Sequence, residues 1–267
     1  MKCSYRDLEG MSGIDYSTFI KFRKRLINTF WFPRVFRTLT NWIASKTNSL
    51  FFILDSSFVE TYSKKKEKGA EGNGFKKKIG FKLHQVIDFK TRLPLRQLST
   101  GGARSDITIG HNLIRGSPKK WQVKTLVADK GYDGSDFVNR VFHRWKGIKI
   151  VIPLRRTNQG KVAKRRESEL NRILKGAERD LNPDLFKKRT EIERYFSRIK
   201  RVFGLGEERT RGLINFRANC YLVSIARILE WLASPSLWLN YSPNSLLVSG
   251  RGCRRRYRRG LCGQEEG

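Results

Sequence analysis

Apolar positions in the first fifty residues recur with the period of an α-helix. The segment "STFIKFRKRLINTF" begins at Ser17, a suitable N-cap, and places its apolar residues on one face. The segment "PRVFRTLTNWIASK" repeats the pattern, with apolar positions at Val35, Phe36, Leu39, Trp42 and Ile43. Two short helices with basic outer faces are predicted. They fit either a helix-turn-helix-like DNA-binding unit or a helical cap on the main domain.

Short apolar runs then replace the helical period and predict the strands of a sheet. The run "LFFILD" (50–55) ends in an acid and is typical of a strand buried on both faces. Two further strands, "IGFKLHQVID" and "LPLRQLST", flank the turn "FKTR". The runs "VKTLVAD" (123–129) and "IKIVIPL" (148–154) complete the predicted set.

Helical patterns lie between and after these strands. The segments "SDITIGHNLIRG", capped by Ser105, and "SDFVNRVFHRWKG" each predict one helix. Two long helices are predicted at 184–203 and about 215–233. Alternation of strands and helices in this order predicts an α/β fold, with a mixed sheet covered by helices.

The same patterns divide the chain into three parts. Residues 1–48 form a small helical N-terminal region, and residues 49–233 form the α/β domain. Within that domain, 63–78 and 155–180 are charged connectors. Residues 234–267 contain "RGCRRRYRRG" and are predicted to be a basic, poorly ordered tail.

The net charge narrows the choice of partner. The 267 residues include 56 Lys and Arg against 24 Asp and Glu, a formal charge of +32. So large an excess repels itself unless a polyanion offsets it. Nucleic acid is therefore the predicted partner, and an anionic membrane surface or a ribosomal site are the alternatives.

Cysteine use and hydropathy favour a soluble protein of a reducing compartment. The four cysteines, Cys3, Cys220, Cys253 and Cys262, lack the close spacing of a zinc site. We expect no signal peptide at the N-terminus. The most apolar stretch, "CYLVSIARILEWLASPSLWL", contains Arg227 and Glu230, which indicates a buried amphipathic helix and not a membrane span.

Two aspartates follow strand-like runs and are candidates for a shared site. Asp55 and Asp129 each end an apolar run, and an acid there faces the crevice where α/β proteins bind ligands. If the two strands are neighbours, the carboxylates repel each other unless a cation lies between them. A divalent cation with oxygen ligands would satisfy both. Taken singly, each aspartate is more often a turn residue or a helix cap.

The basic segment "FKKRTEIERYFSRIKR" (186–201) supplies a third acid. Its predicted core face is a helical stripe formed by Ile192, Phe196, Ile199 and Phe203. Glu193 lies one step from the stripe, and Arg189 and Lys200 share its side of the helix. Glu193 then either completes a metal site or forms half of a surface ion pair that contributes little.

These residues together resemble the DDE transposases of prokaryotic insertion sequences. The signature helix of that family, Tyr-x2-Arg-x3-Glu-x6-Lys, is matched by Phe186-x2-Arg189-x3-Glu193-x6-Lys200, with Phe in place of Tyr. The segments "FILDSS" and "LVADKGYDG" resemble its two aspartate motifs, through Asp55 and Asp129. Weaker similarities are "GFKLH", "LPL" and "GGARSD", and the resemblance covers roughly residues 50–230.

The resemblance implies a ribonuclease H-like catalytic domain at 49–233, with Asp55, Asp129 and Glu193 as catalytic metal ligands. It implies two Mg²⁺ ions, with Mn²⁺ as a substitute, and metal-dependent cleavage of element ends followed by strand transfer into target DNA. No protein nucleophile, small-molecule substrate or further cofactor is expected. The expected contacts to double-stranded DNA are Arg189, Lys200, Lys82, Lys130, Arg194 and Arg198.

The resemblance also implies a homodimer in a synaptic complex, at the nucleoid in the cytoplasm and away from any membrane. Only 54 residues precede Asp55, where related transposases often carry a longer DNA-recognition region. Two alternatives to an active transposase therefore stay open. One is a ribonuclease H-like nuclease that cuts without joining, and the other is an inactive or truncated DNA-binding remnant.

Overall fold

The fold comes from a computed structural model of the chain. The described residues are 15–47, 51–62, 67–74, 76–118, 121–153, 183–207 and 211–233. The whole predicted connector at 155–180, the predicted tail at 234–267, and Cys3, Cys253 and Cys262 lie outside them. The described residues up to Glu230 belong to one compact unit.

Two helices begin the described chain, α1 at Tyr16–Asn28 and α2 at Trp31–Thr47. The prediction of Ser17 as N-cap is wrong by two residues. Asp15 is the cap, because its carboxylate accepts a hydrogen bond from the backbone N–H of Ser17 at 3.0 Å.

Both helices contact the α/β domain. The Arg23 guanidinium of α1 donates to the Asn219 side chain at 2.5 Å, and the Phe36 ring of α2 lies edge-on to the Tyr221 ring at 5.5 Å. Of the two interpretations of this region, these contacts favour a cap on the domain.

The sheet has six strands and mixed directions. The strands are β1 (Phe51–Glu60), β2 (Glu71–Asn73), β3 (Lys78–Asp88), β4 (Pro94–Gly101), β5 (Thr125–Ala128) and β6 (Lys149–Val151). β3 pairs antiparallel with β1, β2 and β4, whereas β1, β5 and β6 are parallel. The order β4–β3–β1–β5–β6 is that of a ribonuclease H-like sheet, so the predicted fold class is confirmed. The short strand β2 was missed, since its segment is rich in Gly and Lys.

The pairing of β1 with β5 places the two strand acids side by side. The last parallel pair is Leu54 with Ala128, and Asp55 and Asp129 each follow directly. β1 does not end at Asp55, as its apolar run indicated. It continues to Glu60 because the five residues after Asp55 pair with residues 80–84 of β3.

Helices cover the sheet, and the predicted helix at 184–203 is two helices. α3 (Asp106–Gly116) and α4 (Ser135–Arg144) follow β4 and β5. α5 (Pro183–Lys187) and α6 (Thr190–Arg201) precede α7 (Leu213–Leu232). Between α5 and α6 the N–H of Arg189 bonds the carbonyl of Phe186 at 3.0 Å, a three-residue spacing that tightens the backbone.

The core between the sheet and α6 contains the predicted helical stripe. Ile192, Phe196 and Ile199 are buried, and Phe203 is partly buried against the same cluster. Tyr195 is buried as well, because it faces α7. Each such side chain contributes about 1.5–3 kcal/mol through loss of apolar surface, which fixes α6 firmly beside β1. Within the described ranges, no helix has both the length and the hydropathy to cross a bilayer.

Candidate active site

Asp55 lies on β1 with its carboxylate largely buried. Its side chain is 14% exposed, and Oδ1 accepts a hydrogen bond from the backbone N–H of Ser56 at 2.7 Å. Oδ2 lies 2.9 Å from the Nη1 of Arg189, a residue 134 positions later in the chain. The acid is therefore held by one backbone donor and one cation.

Electrostatics of Asp55 reveal a cluster of carboxylates. Burial raises the pKa of Asp55 to about 6, and repulsion from Asp129 and Asp106 acts in the same direction. The hydrogen bond from Ser56 and the charge of Arg189 oppose this rise. Asp129 and Asp106 thus lie close enough to Asp55 to share its electrostatic environment.

Glu193 reaches this cluster through Arg189. The guanidinium of Arg189 uses Nη2 to bind Glu193 Oε1 at 2.5 Å while Nη1 binds Asp55. Arg189 is the N-cap residue of α6 and has helical dihedral angles, so its four-residue spacing to Glu193 survives the break after α5. One cation therefore joins the strand acid to the helix acid, which is itself 51% exposed.

Asp106 is a further carboxylate of the site, and sequence reasoning treated it as the start of a helix. Its Oδ1 accepts hydrogen bonds from Ser56 Oγ at 2.8 Å and Lys82 Nζ at 3.1 Å. His84 Nδ1 lies 3.5 Å from the same oxygen, and burial lowers the pKa of His84 to about 4. The signal available in the sequence was the alternation of β3, which puts Lys82 and His84 on one face.

Tyr132 is a buried side chain close to the carboxylates of Asp55 and Asp106. Its ring is 1% exposed, and burial, followed by the charges of Asp106 and Asp55, raises the pKa of its hydroxyl well above the usual value. A Cβ at position 110 would lie 2.9 Å from the ring, so Gly110 of α3 is needed for this close approach. The "GY" that follows Asp129 therefore packs the loop that carries the acid.

Phe186, which replaces the tyrosine of the family signature, packs on Arg189. The guanidinium carbon lies 5.9 Å from the centre of the Phe186 ring, within the range of a cation–π contact. This contact uses the aromatic face and needs no hydroxyl group. The substitution therefore preserves one means of orienting Arg189.

The other predicted DNA contacts divide into two groups. Lys82 lies at the carboxylates, Lys200 donates to the backbone oxygen of Phe58 on β1 at 2.8 Å, and Lys130 is exposed beside Asp129. Arg194 and Arg198 are bound to Glu191 and Glu230 respectively. The structure thus brings three lysines to the site region, whereas two arginines of α6 form ion pairs within α6 and with α7.

The donors present are those of a hard divalent cation. Asp55, Asp129, Asp106 and Glu193 offer only oxygen ligands, the type that Mg²⁺ and Mn²⁺ prefer. In the described part of the chain, no three His, Cys, Asp or Glu side chains are already drawn together at metal-binding distances. Arg189 provides a physical reason, since its positive charge lies between Asp55 and Glu193.

One of three comparisons with known proteins, the match to a family model, supports the family resemblance. A family model described as "Transposase DDE domain" matches residues 46–229, whereas no curated protein matches. One solved structure, a cryo-EM structure of the piggyBac transposase synaptic complex with hairpin DNA, is 11% identical with a TM-score of 0.38. That likeness covers 75% of this chain and 59% of the piggyBac chain. Since the family match spans well over half of the residues, the chain belongs to the family of transposases with a DDE domain.

Proposed function

We propose that this transposase cuts DNA at the ends of an insertion sequence and joins the freed ends to target DNA. The observation that carries the proposal is the parallel register of Leu54 with Ala128, which sets Asp55 beside Asp129, together with the Arg189 link to Glu193. Both steps are phosphoryl transfers. In the first, water attacks a phosphodiester and a strand leaves with a 3′-hydroxyl; in the second, that hydroxyl attacks a target phosphodiester and displaces another 3′-oxygen.

We assign the binding of two Mg²⁺ ions, for which Mn²⁺ can substitute, to Asp55, Asp129 and Glu193. When bound, the ions supply Lewis-acid stabilisation of charge on the attacking and leaving oxygens. The desolvated position of Asp55, 14% exposed, supports this role because a buried carboxylate gains most from a cation. Asp106, held by Ser56 and Lys82, would orient the β1 backbone next to Asp55.

Arg189 would hold the scissile phosphate. Its planar fork of N–H donors suits two oxygens of one phosphate as well as it suits carboxylates. Lys82, Lys130 and Lys200 would contact flanking phosphates, and Arg194 and Arg198 more distant ones. Residues 1–48 would contribute a basic helical surface to the same duplex, with 49–233 as the catalytic domain and 234–267 as a phosphate-binding tail.

The formal charge of +32 supports double-stranded DNA as the partner. We propose that two copies assemble on two element ends in a synaptic complex, in the cytoplasm at the nucleoid. The charge alone is consistent with this assembly because each copy would bring its own excess of cations to a polyanion.

A strand-transfer assay tests the proposed function. The full chain is incubated with Mg²⁺, a labelled duplex that ends in the element's terminal sequence, and a target plasmid. A joined product is expected. Cleavage without joining would identify a nuclease instead, and neither product, with DNA still bound, would identify a DNA-binding remnant.

Lys200 is expected to contribute about one unit to the slope of log affinity for DNA against log salt concentration, because each phosphate contact releases about one counterion. Lys200→Gln removes the charge but keeps a donor for the Phe58 carbonyl. The measurement is the slope of log affinity against log salt, by fluorescence anisotropy. Lys124→Gln, at the opposite end of β5, is the matched control, and an unchanged slope in Lys200→Gln would exclude a phosphate contact.

A further inference from the structure

A cavity lies at the β4 edge of the sheet, away from the carboxylates. It has a volume of about 310 Å³ and opens between α2, β4, α3 and α7. Its polar lining comes from Arg37, Arg96, Gln97, Asn112 and Tyr221. Arg96 pairs with Val86 of β3, so a whole strand separates this cavity from Asp55 on β1.

The described lining of the cavity carries positive charge without a negative partner. No Asp or Glu is among those lining residues. Arg96 is half-buried, and its Nε is buried with no hydrogen-bond partner among the described residues. Its guanidinium carbon lies 5.3 Å from the centre of the Trp121 ring, within the range of a cation–π contact. Arg96 is thus held in place by packing and not by an acid.

Other arginines converge on the same place. Burial lowers the pKa of Arg96, and the positive charges of Arg37 and Arg144 lower it further. Arg144 also donates to the backbone oxygen of Ser117, which leaves its charge uncancelled. Arg37 and Arg96 therefore both line the cavity, and Arg144 is close enough to add to the positive potential at Arg96.

Tyr221 places a hydroxyl among these cations. Burial raises its pKa, while Arg217, Arg37 and Arg96 all act in the opposite direction. Gln97 adds a buried amide nitrogen without a partner among the described residues, because Gln85 and Ser224 both donate to its Oε1. Because that nitrogen is buried, the donors that the wall offers to a ligand are the guanidinium groups of Arg37 and Arg96 and the hydroxyl of Tyr221.

Partly desolvated cations are costly unless an anion is near them. The fork of a guanidinium fits the oxygens of a phosphate, and a tyrosine hydroxyl can donate to a third oxygen. We propose that this cavity is a phosphate-binding site, which takes either a backbone phosphate of DNA or the phosphate of a free nucleotide or pyrophosphate. It shares no residue with the carboxylate cluster and goes beyond the proposed function.

Binding measurements on the full chain, without divalent metal, test this site. The probes are pyrophosphate, whose binding is measured by calorimetry, and a 20-base-pair duplex, whose binding is measured by fluorescence anisotropy. Arg96→Gln and Arg37→Gln are each expected to lower the affinity for the probe that occupies the cavity roughly tenfold. Arg34→Gln and Arg115→Gln, which remove the same charge from exposed positions of α2 and α3, are the controls and should weaken it less than about twofold.

The two sources of phosphate give different results. Saturable pyrophosphate binding that both cavity variants lose identifies a free phosphate compound. Loss of duplex affinity beyond the controls, without pyrophosphate binding, identifies the DNA backbone. If the cavity variants match the controls with both probes, the proposal is wrong. Because no cleavage is measured, failure of the proposed chemistry would not affect this outcome.

Thermal unfolding of each variant tests whether a loss of affinity comes from misfolding. Arg37 is exposed, so Arg37→Gln should fold normally. Arg96→Gln removes a repelling charge together with the contact to Trp121, so its Tm should stay close to that of the parent chain. Tyr221→Phe keeps the ring against Phe36 and is expected to weaken the bound probe about threefold. A normal affinity in all three variants would contradict the site even if one of them were unstable.

Discussion

Replacing Asp55 or Asp129 with Asn, or Glu193 with Gln, is expected to slow DNA cleavage roughly 10³-fold or more, a loss of about 4 kcal/mol in transition-state stabilisation. Each amide keeps the size of the acid but removes the charge that would bind a divalent cation. DNA affinity is expected to stay within about twofold, because the loss of a negative charge does not weaken contacts to phosphate. The measurements are single-turnover cleavage of a labelled element end and anisotropy of the same duplex.

Asp136→Asn provides a matched control for the acid substitutions. Asp136 is an exposed acid in the first turn of α4, seven residues after Asp129. Its replacement by Asn removes the same charge as the site substitutions. It should leave cleavage unchanged within about twofold. Full cleavage by any one of the three variants would remove that residue from the active site, whereas loss of cleavage together with DNA binding would indicate misfolding.

Asp55→Asn is also expected to make the protein more stable at neutral and alkaline pH. Burial raises the pKa of Asp55 from 3.8 to about 6, so folding favours the protonated carboxyl group. The free energy of unfolding contributed by this group is full below pH 3.8 and is lost as the pH rises to about 6. A shift of this size corresponds to at most about 3 kcal/mol, and this figure already includes the opposing charge of Arg189.

Urea unfolding of the parent chain and the variant across this pH range measures the effect. The difference between the two should be near zero or negative at pH 3.5, where the parent carboxyl group is protonated as well. It should grow in favour of Asp55→Asn up to about pH 7 and then stay level. A difference that does not change with pH would show that folding does not raise the pKa of Asp55.

Hydrophobic patterning predicted the parts of the site that lie on regular elements. The runs that end at Asp55 and Asp129 indicated buried strands, and acids at such positions face a common crevice. That the two strands are neighbours was only a condition in the sequence argument, and the parallel register of β1 and β5 supplies it. The helical spacing of Arg189 and Glu193 likewise survives in α6.

The rest depended on contacts that no local pattern encodes. Asp106 enters the site from the start of α3, and its partners Ser56 and Lys82 are 50 and 24 residues away. The extension of β1 past Asp55 was hidden because "SSFVE" is mixed in polarity and is stabilised by pairing with β3. Lys200 has the spacing of a phosphate ligand, and its hydrogen bond to the carbonyl of Phe58, 142 residues away, is a further contact that this spacing does not encode.

The position of Arg189 between Asp55 of β1 and Glu193 of α6 has a consequence for the protein without DNA. Two nitrogens of Arg189 are committed to Asp55 and Glu193, so an arriving phosphodiester must compete for those same donors. Arg189 also lowers the pKa of Asp55, so a phosphodiester that takes the arginine leaves a buried carboxyl group that must bind either a proton or another cation. The arginine is therefore a stand-in cation for the two acids at rest, and an arriving phosphate would displace it only where a metal ion or a proton takes its place.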